Sequence, residues 1–281
     1  MLPPRRTLLV PHLGGIDVGY RSSKATPDLS KPTLVLFNPF TTTADYYIPE
    51  FQNNAIQTPM NLLAVEPLGH GKTRLHRGET FTYWDSAVMS LQLLDALGID
   101  KAFVLGTSQG GWIAARMALL APGRVCGNRL DCQVQQSLTT SQIQGIILIG
   151  SSMDSESIRS REAGCWDGST VCSGLVSLAA DFSPAHDFQP GDAYYDFLVE
   201  IGFGNNVDKV TKDFWAKTIK DNYQGDEGKR RICMAAVNLS SRDGLHERLP
   251  YIRCPVLWLQ VCFPSAFDLK LFPNFNHERE F

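Results

Sequence analysis

The stretch Ala102–Leu120, AFVLGTSQGGWIAARMALL, decides how the rest of this 281-residue chain is read. Phe103, Val104 and Leu105 form a short apolar run of the kind that makes a buried strand. Gly106 to Gly110 then fit G-x-S-x-G, and Trp112 to Leu120 continue as a helix with small residues on one face. A strand, a sharp turn and a helix in that order present the central serine, Ser108, for nucleophilic attack. The turn forces Ser108 into a strained backbone conformation and leaves room only for hydrogen at Gly106 and Gly110. Gly111 and Ala115, four residues apart, allow the helix to pack closely on the sheet. The plainer alternative is a Gly-rich strand-to-helix turn with an idle serine. The correct strand before it and helix after it weigh against that alternative.

Composition excludes several classes. The net charge of −3 carries no electrostatic footprint for nucleic acid or an anionic membrane. The hydrophobic fraction of 43% supports a sizeable core, and no apolar run approaches the ~20 residues that span a bilayer. The opening MLPPRRTLLVPHLGG has too short an apolar part, interrupted by Pro11, for a secretory signal. Seven cysteines at irregular spacing, with no C-x-x-C pair, read as free thiols rather than a zinc or redox motif. These features lead to the expectation of an intracellular protein without metal or organic cofactor.

Outward from the central stretch, Arg6–Val10 and Ile16–Arg21 read as an antiparallel hairpin at a sheet edge. Thr33–Phe37, Met60–Glu66, Gly145–Gly150 and Pro255–Gln260 read as strands, the first and last of them buried. Trp84, Ala87, Val88, Leu91 and Leu94 recur at helical spacing, and Gly98 stops that helix. Cys126–Ile143 is polar and aperiodic where connections usually run ~2–6 residues. It reads as an insertion peculiar to this sequence or a retained intron. From Met153 to Tyr251 the pattern changes, with helical periodicity over Phe214–Tyr223 and Gly228–Leu239. Glu156, Arg159, Arg161 and Glu162 read as a solvated face, and Lys229-Arg230-Arg231 as a surface helix end.

On these residues the chain resembles the α/β-hydrolase superfamily from about Arg6 to Gln260. The runs KAFVLGTSQGGWIAARMALLAP and HLGGIDVGYR further resemble fungal hydrolases, some from secondary-metabolite clusters that include those for AK- and AF-type toxins. The resemblance implies a mostly parallel sheet with flanking helices and a helical lid. It divides the chain into a core over 1–152, a lid over 153–251, and a core strand with an atypical tail over 252–281. The family's oxyanion loop commonly reads His-Gly-x; here Asn38-Pro39-Phe40 stands in its place. Proline has no N–H, so the donor falls to Phe40, with the N–H of Gln109 as its partner. Glu66 to Gly71 resembles the family's D-x-x-G-H-G turn, in which the histidine, here His70, holds the turn together.

Asp154 falls where some members carry the triad acid, although the commoner position follows the next strand. Relatives continue there into H-G-x-x-D and supply the histidine roughly thirty residues later. This chain instead reads VCFPSAFDLKLFPNFNHEREF, with Asp268 and His277 as the available acid and base and with the final strand and helix missing. The expected function is a serine hydrolase acting on a small acyl substrate, an ester, thioester or lactone, in fungal secondary metabolism and impaired in this chain. The competing reading is a degenerate, non-catalytic binder of small molecules. Epoxide hydrolases, which use Asp where this chain has Ser108, are disfavoured. Residence is expected in the cytoplasm or the peroxisome, for which Arg5–Leu13 is an imperfect N-terminal address.

Overall fold

The computed structural model describes residues 2–122, 142–162, 167–203 and 207–260. Its eight strands are β1 (Arg5–Val10), β2 (Ile16–Ser22), β3 (Thr33–Phe37), β4 (Asn61–Val65), β5 (Arg74–Leu75), β6 (Lys101–Thr107), β7 (Gln142–Ile149) and β8 (Val256–Leu259). They form one sheet in the order β1-β2-β4-β3-β6-β7-β8, with β5 paired to β2 off that path. β1 and β2 make the antiparallel edge hairpin, and β4, β3, β6, β7 and β8 run parallel.

The central parallel strands β3 and β4 are buried at every position, and apolar after the first, because both faces of the sheet are covered there. Val35, Phe37, Leu63, Val65, Ala102 and Val104 belong to the core under helices α3 (Tyr83–Ala96) and α4 (Gln109–Leu120). Leu34, Leu36, Leu62 and Ala64 alternate with them and pack against Ala44, Tyr47 and Phe51. Those residues lie on a 3₁₀ turn, Ala44–Tyr47, and on the short helix α1 (Ile48–Gln52), which α2 (Asn54–Gln57) follows. A capping box starts α3: Asp85 N–H donates to Thr82 Oγ1 at 3.3 Å, and Thr82 N–H donates to Asp85 Oδ2 at 2.7 Å.

Between β7 and β8 the described chain is helical: α5 (Ile158–Glu162), α6 (Gly168–Val171), α7 (Ser173–Leu178), α8 (Asp192–Phe203), α9 (Lys209–Asn222) and α10 (Gly225–Ser240). Several expectations need correction. Gln142 and Ile143, assigned to the insertion, are the first residues of β7; the remainder, 126–141, lies outside the described residues. β8 was expected to be buried, yet Val256, Leu257 and Leu259 are exposed, because among the described residues β8 ends the sheet and pairs only with β7. Glu156 does not face solvent but pairs with Arg242. Lys229 is buried and donates to Asp181 Oδ2 at 2.8 Å, so it departs from the expected surface helix end, while Arg230 beside it is exposed. The expectation about the final strand and helix falls on 261–281, outside the described residues.

One side chain joins the sheet layer to the helical segment. Arg116 on α4 is fully buried, and its guanidinium lies 5.0 Å from the Trp84 ring centroid and 5.5 Å from that of Trp112. Arg248 covers Trp84 at 5.3 Å and Arg242 covers Trp112 at 4.5 Å, so cations and rings alternate in one column. Asp243 binds the column together, accepting from Arg116, Arg248 and the Trp84 indole N–H. Burial pulls the Arg116 pKa below its ordinary value and Asp243 opposes that pull. Arg116→Ala removes the central cation and leaves a cavity between two tryptophans. The expected loss is about 3 kcal/mol, the lower end for breaking a buried pair, because half-exposed Asp243 regains water. Urea unfolding of both proteins checks this; a loss under 1 kcal/mol would show that the column contributes little.

Candidate active site

Ser108 sits between β6 and α4 with φ 52° and ψ −117°, a left-handed conformation that costs a non-glycine residue strain. The turn is held from three sides. Ser108 N–H donates to Ile149 O at 2.8 Å, Ser151 Oγ donates to Ser108 O at 2.7 Å, and Gly111 N–H donates to the same carbonyl at 3.0 Å. A Cβ at Gly106 would lie 2.1 Å from the carbonyl carbon of Gly110, and one at Gly110 would lie 2.2 Å from Phe37 O. Backbone therefore packs on backbone where α4 leaves the sheet. The Ser108 hydroxyl is half-buried and has no hydrogen-bond partner among the described residues.

Facing this turn is the loop after β3. Asn38 is buried, and its Nδ2 donates to Thr42 O at 2.9 Å; Thr42 Oγ1 donates to Pro39 O at 2.7 Å. Thr41 is also left-handed, with φ 57°. The N–H of Phe40 donates to no acceptor among the described residues. Gln109, the first residue of α4, keeps its N–H outside the helix ladder, as every helix start does. Among the described residues, the Phe40 and Gln109 N–H groups and the Ser108 hydroxyl thus have no partner.

His70 lies between the two segments, fully buried, and its hydrogen bonds fix its tautomer. Thr41 N–H donates to Nε2 at 3.0 Å, so that nitrogen carries no proton; Nδ1 carries it and donates to Leu68 O at 2.9 Å. The side-chain amide of Gln109 lies 2.9 Å from the same Nε2 and must present its NH₂ there. Its Oε1 then accepts from Tyr83 OH at 3.3 Å, and its Nε2 also reaches Asn38 O at 3.4 Å. Burial holds the His70 pKa down at about 4. Glu66, likewise fully buried, accepts from Ala44 N–H at 3.0 Å and from Lys72 N–H at 2.7 Å.

The remaining described histidines are engaged elsewhere: His12 with Asp85, His76 with Asp17, His186 with Asp226 and His246 with Arg159. Asp154 is half-buried, and its Oδ2 accepts from Ser157 Oγ at 2.6 Å; it meets no described histidine. His277 and Asp268 lie outside the described residues. The structure thus brings Ser108, Gln109 and the loop of Phe40 together, and Asp154 is engaged by Ser157. Sequence reasoning missed the side chains of Gln109, Tyr83 and Tyr194, whose OH donates to Thr41 Oγ1 at 3.2 Å. Tyr194 lies on α8, far along the chain from Thr41, and no local pattern signals such a contact. Two clefts of about 220 and 170 Å³ flank α10, and neither is lined by Ser108. No group of three or more metal-binding side chains occurs among the described residues, and no described helix is long and apolar enough to cross a membrane.

A family model described as the alpha/beta hydrolase fold matches residues 32–151, a little under half of the chain. RutD of Stutzerimonas stutzeri (strain A1501), named as a carbamate hydrolase, is 31% identical over 91 residues, 32% of this chain and 34% of RutD. The matched chain thus spans about a third of the length of that curated relative. A carboxylesterase of the thaumarchaeon Nitrososphaera gargenis superposes with TM-score 0.64 at 19% identity, covering 93% of this chain and 82% of its own. The enol-lactonase of Burkholderia xenovorans LB400 gives TM-score 0.63 at 17% identity, covering 92% and 83%. The fold is the α/β-hydrolase fold.

The folded protein binds a proton at His70 more weakly than the unfolded chain, whose histidine pKa is about 6.5. Stability therefore falls as pH drops from about 6.5 towards 4, by at most about 3 kcal/mol from this group. Urea unfolding at pH 7 and pH 5 should show a steeper pH dependence for the wild type than for His70→Gln. Equal slopes would show that His70 is not buried neutral.

Proposed function

We propose that the protein is a serine hydrolase acting on a small carboxylic ester, thioester or lactone. Ser108 attacks the substrate carbonyl, and the N–H groups of Phe40 and Gln109 stabilise the oxyanion. The observation that carries this reading is the strained Ser108, whose hydroxyl, like the N–H groups of Phe40 and Gln109, has no partner among the described residues. The names of RutD, the carboxylesterase and the enol-lactonase, acting on carbamates, esters and enol-lactones, agree with an acyl substrate. His70 is not the base, because both of its nitrogens are already committed. His277 remains the candidate for that role, with Asp154 or Asp268 as the acid, and we expect it to contribute little.

The span 153–251 serves as the lid, excluding water from the acyl pocket. Tyr194 touching Thr41, and Trp215 with its ring 6.2 Å from that of Tyr46, support that placement. The core over 1–152 and the strand within 252–281 carry the chemistry. The resemblance to fungal cluster hydrolases points to secondary metabolism. The free thiols of Cys172, Cys233 and Cys254 fit residence inside the cell, in cytoplasm or peroxisome. The second reading, a non-catalytic binder, is favoured by one observation: no described histidine bonds to Ser108.

A base must come within ~2.6–3.2 Å of the hydroxyl it deprotonates. We therefore expect impaired turnover, sustained by the oxyanion hole and binding at roughly 10³–10⁴-fold over water. A fluorophosphonate probe should label the wild type and not Ser108→Ala. Turnover of p-nitrophenyl butyrate should be slow and little changed in His277→Ala. Absence of labelling on the wild type favours the binder. Fast turnover lost in His277→Ala would show a complete triad and overturn the impairment.

A further inference from the structure

The hydrogen bonds of His70 join two segments that the proposed chemistry needs at a fixed spacing. One is the loop after β3, entered through Thr41 N–H; the other is the elbow, entered through the Gln109 side chain. Both donate to one imidazole nitrogen, at 3.0 and 2.9 Å. The residues immediately beside these anchors carry the two free donors, since Phe40 precedes Thr41 and Gln109 carries its own N–H. The loop needs such an anchor. Thr41 is a non-glycine residue at φ 57°, and such a conformation persists only where its surroundings impose it.

The ring itself cannot turn. Its Nδ1–H is committed to Leu68 O, and its edge packs on Phe40 with ring centroids 6.0 Å apart. Gln109 Oε1 cannot stand in for Nε2, because it already accepts from Tyr83 OH.

We infer that His70 is a positioning residue for the oxyanion hole: its unprotonated Nε2 ties the Thr41 backbone to the Gln109 side chain and so sets the separation of the Phe40 and Gln109 N–H groups. This rests on the proposed role of Ser108. Loss of the tie allows the loop to drift relative to the elbow, and a misplacement of ~1 Å costs about a hundredfold. The loss falls on kcat, because the oxyanion is absent from the bound substrate and develops only on the way to the tetrahedral intermediate.

Three proteins test it: wild type, His70→Gln and His70→Asn. Glutamine can place Oε1 where Nε2 stood and accept from both donors, whereas the shorter asparagine cannot reach them. Each is first shown folded by its unfolding transition. The rate of Ser108 labelling by the fluorophosphonate and kcat for p-nitrophenyl butyrate should fall about a hundredfold in His70→Asn, with KM little changed. They should fall less than tenfold in His70→Gln. Amide exchange at Thr41 should rise at least tenfold in His70→Asn only. A wild type that is not labelled at Ser108 overturns the hydrolase reading and the inference with it. A labelled wild type with folded His70→Asn equally reactive, or with unchanged Thr41 exchange, overturns the positioning role alone.

Discussion

Everything around Ser108 depends on the contact of backbone with backbone where β6 gives way to α4. Gly106 lies against Gly110, and Gly110 against the carbonyl of Phe37, closely enough that any Cβ would collide. This contact forces φ 52° on Ser108 and brings the start of α4 beside the end of β3. Helix and loop are then adjacent, and among the described residues the Phe40 and Gln109 N–H groups donate to no acceptor. The strain at Ser108 is held by ordinary means: Ile149 and Ser151 from β7 and its exit secure the turn through its amide and its carbonyl.

The loop opposite is built from polar groups that have left water, so each requires a partner. Glu66 and His70, four residues apart on the turn after β4, supply two of them. Glu66 takes the amide of Ala44 and His70 takes that of Thr41, anchoring one loop at two points. Neutrality of His70 is a condition of this arrangement. A protonated ring would present a donor to two donors, and burial keeps that state away down to a pH of about 4.

The helical segment is seated by a different interaction. Arg248, Trp84, Arg116, Trp112 and Arg242 stack in alternation, with Asp243 and Glu156 supplying the opposite charge. Both rings and the central cation come from α3 and α4; the outer cations and both acids come from the segment between β7 and β8. Tyr194 adds a hydrogen bond from α8 to Thr41. The segment is therefore fixed to the elbow helix and to the loop facing it.

Local sequence determined the strands, the elbow and the main helices, because their signals are local. TLVLF and its neighbours are apolar runs with no alternation, Thr82 and Asp85 sit at capping-box spacing before α3, and G-x-S-x-G between a strand and a helix admits one geometry. Pro39 by itself removed one backbone donor and left Phe40. Only the tertiary structure decided what the polar side chains do. Glu156 and Lys229 looked solvated in the sequence because charge alone does not say whether a partner waits across the fold; Arg242 and Asp181 were those partners. PVLWL reads as buried by composition, yet its exposure depends on what lies beyond the sheet edge. Gln109 was chosen for its backbone, while its side chain joins His70 and Tyr83, residues 39 and 26 positions away. Hydrogen-bond partners at such separations leave no periodic trace in a chain, since they are set by where whole elements pack and not by the order of neighbouring residues.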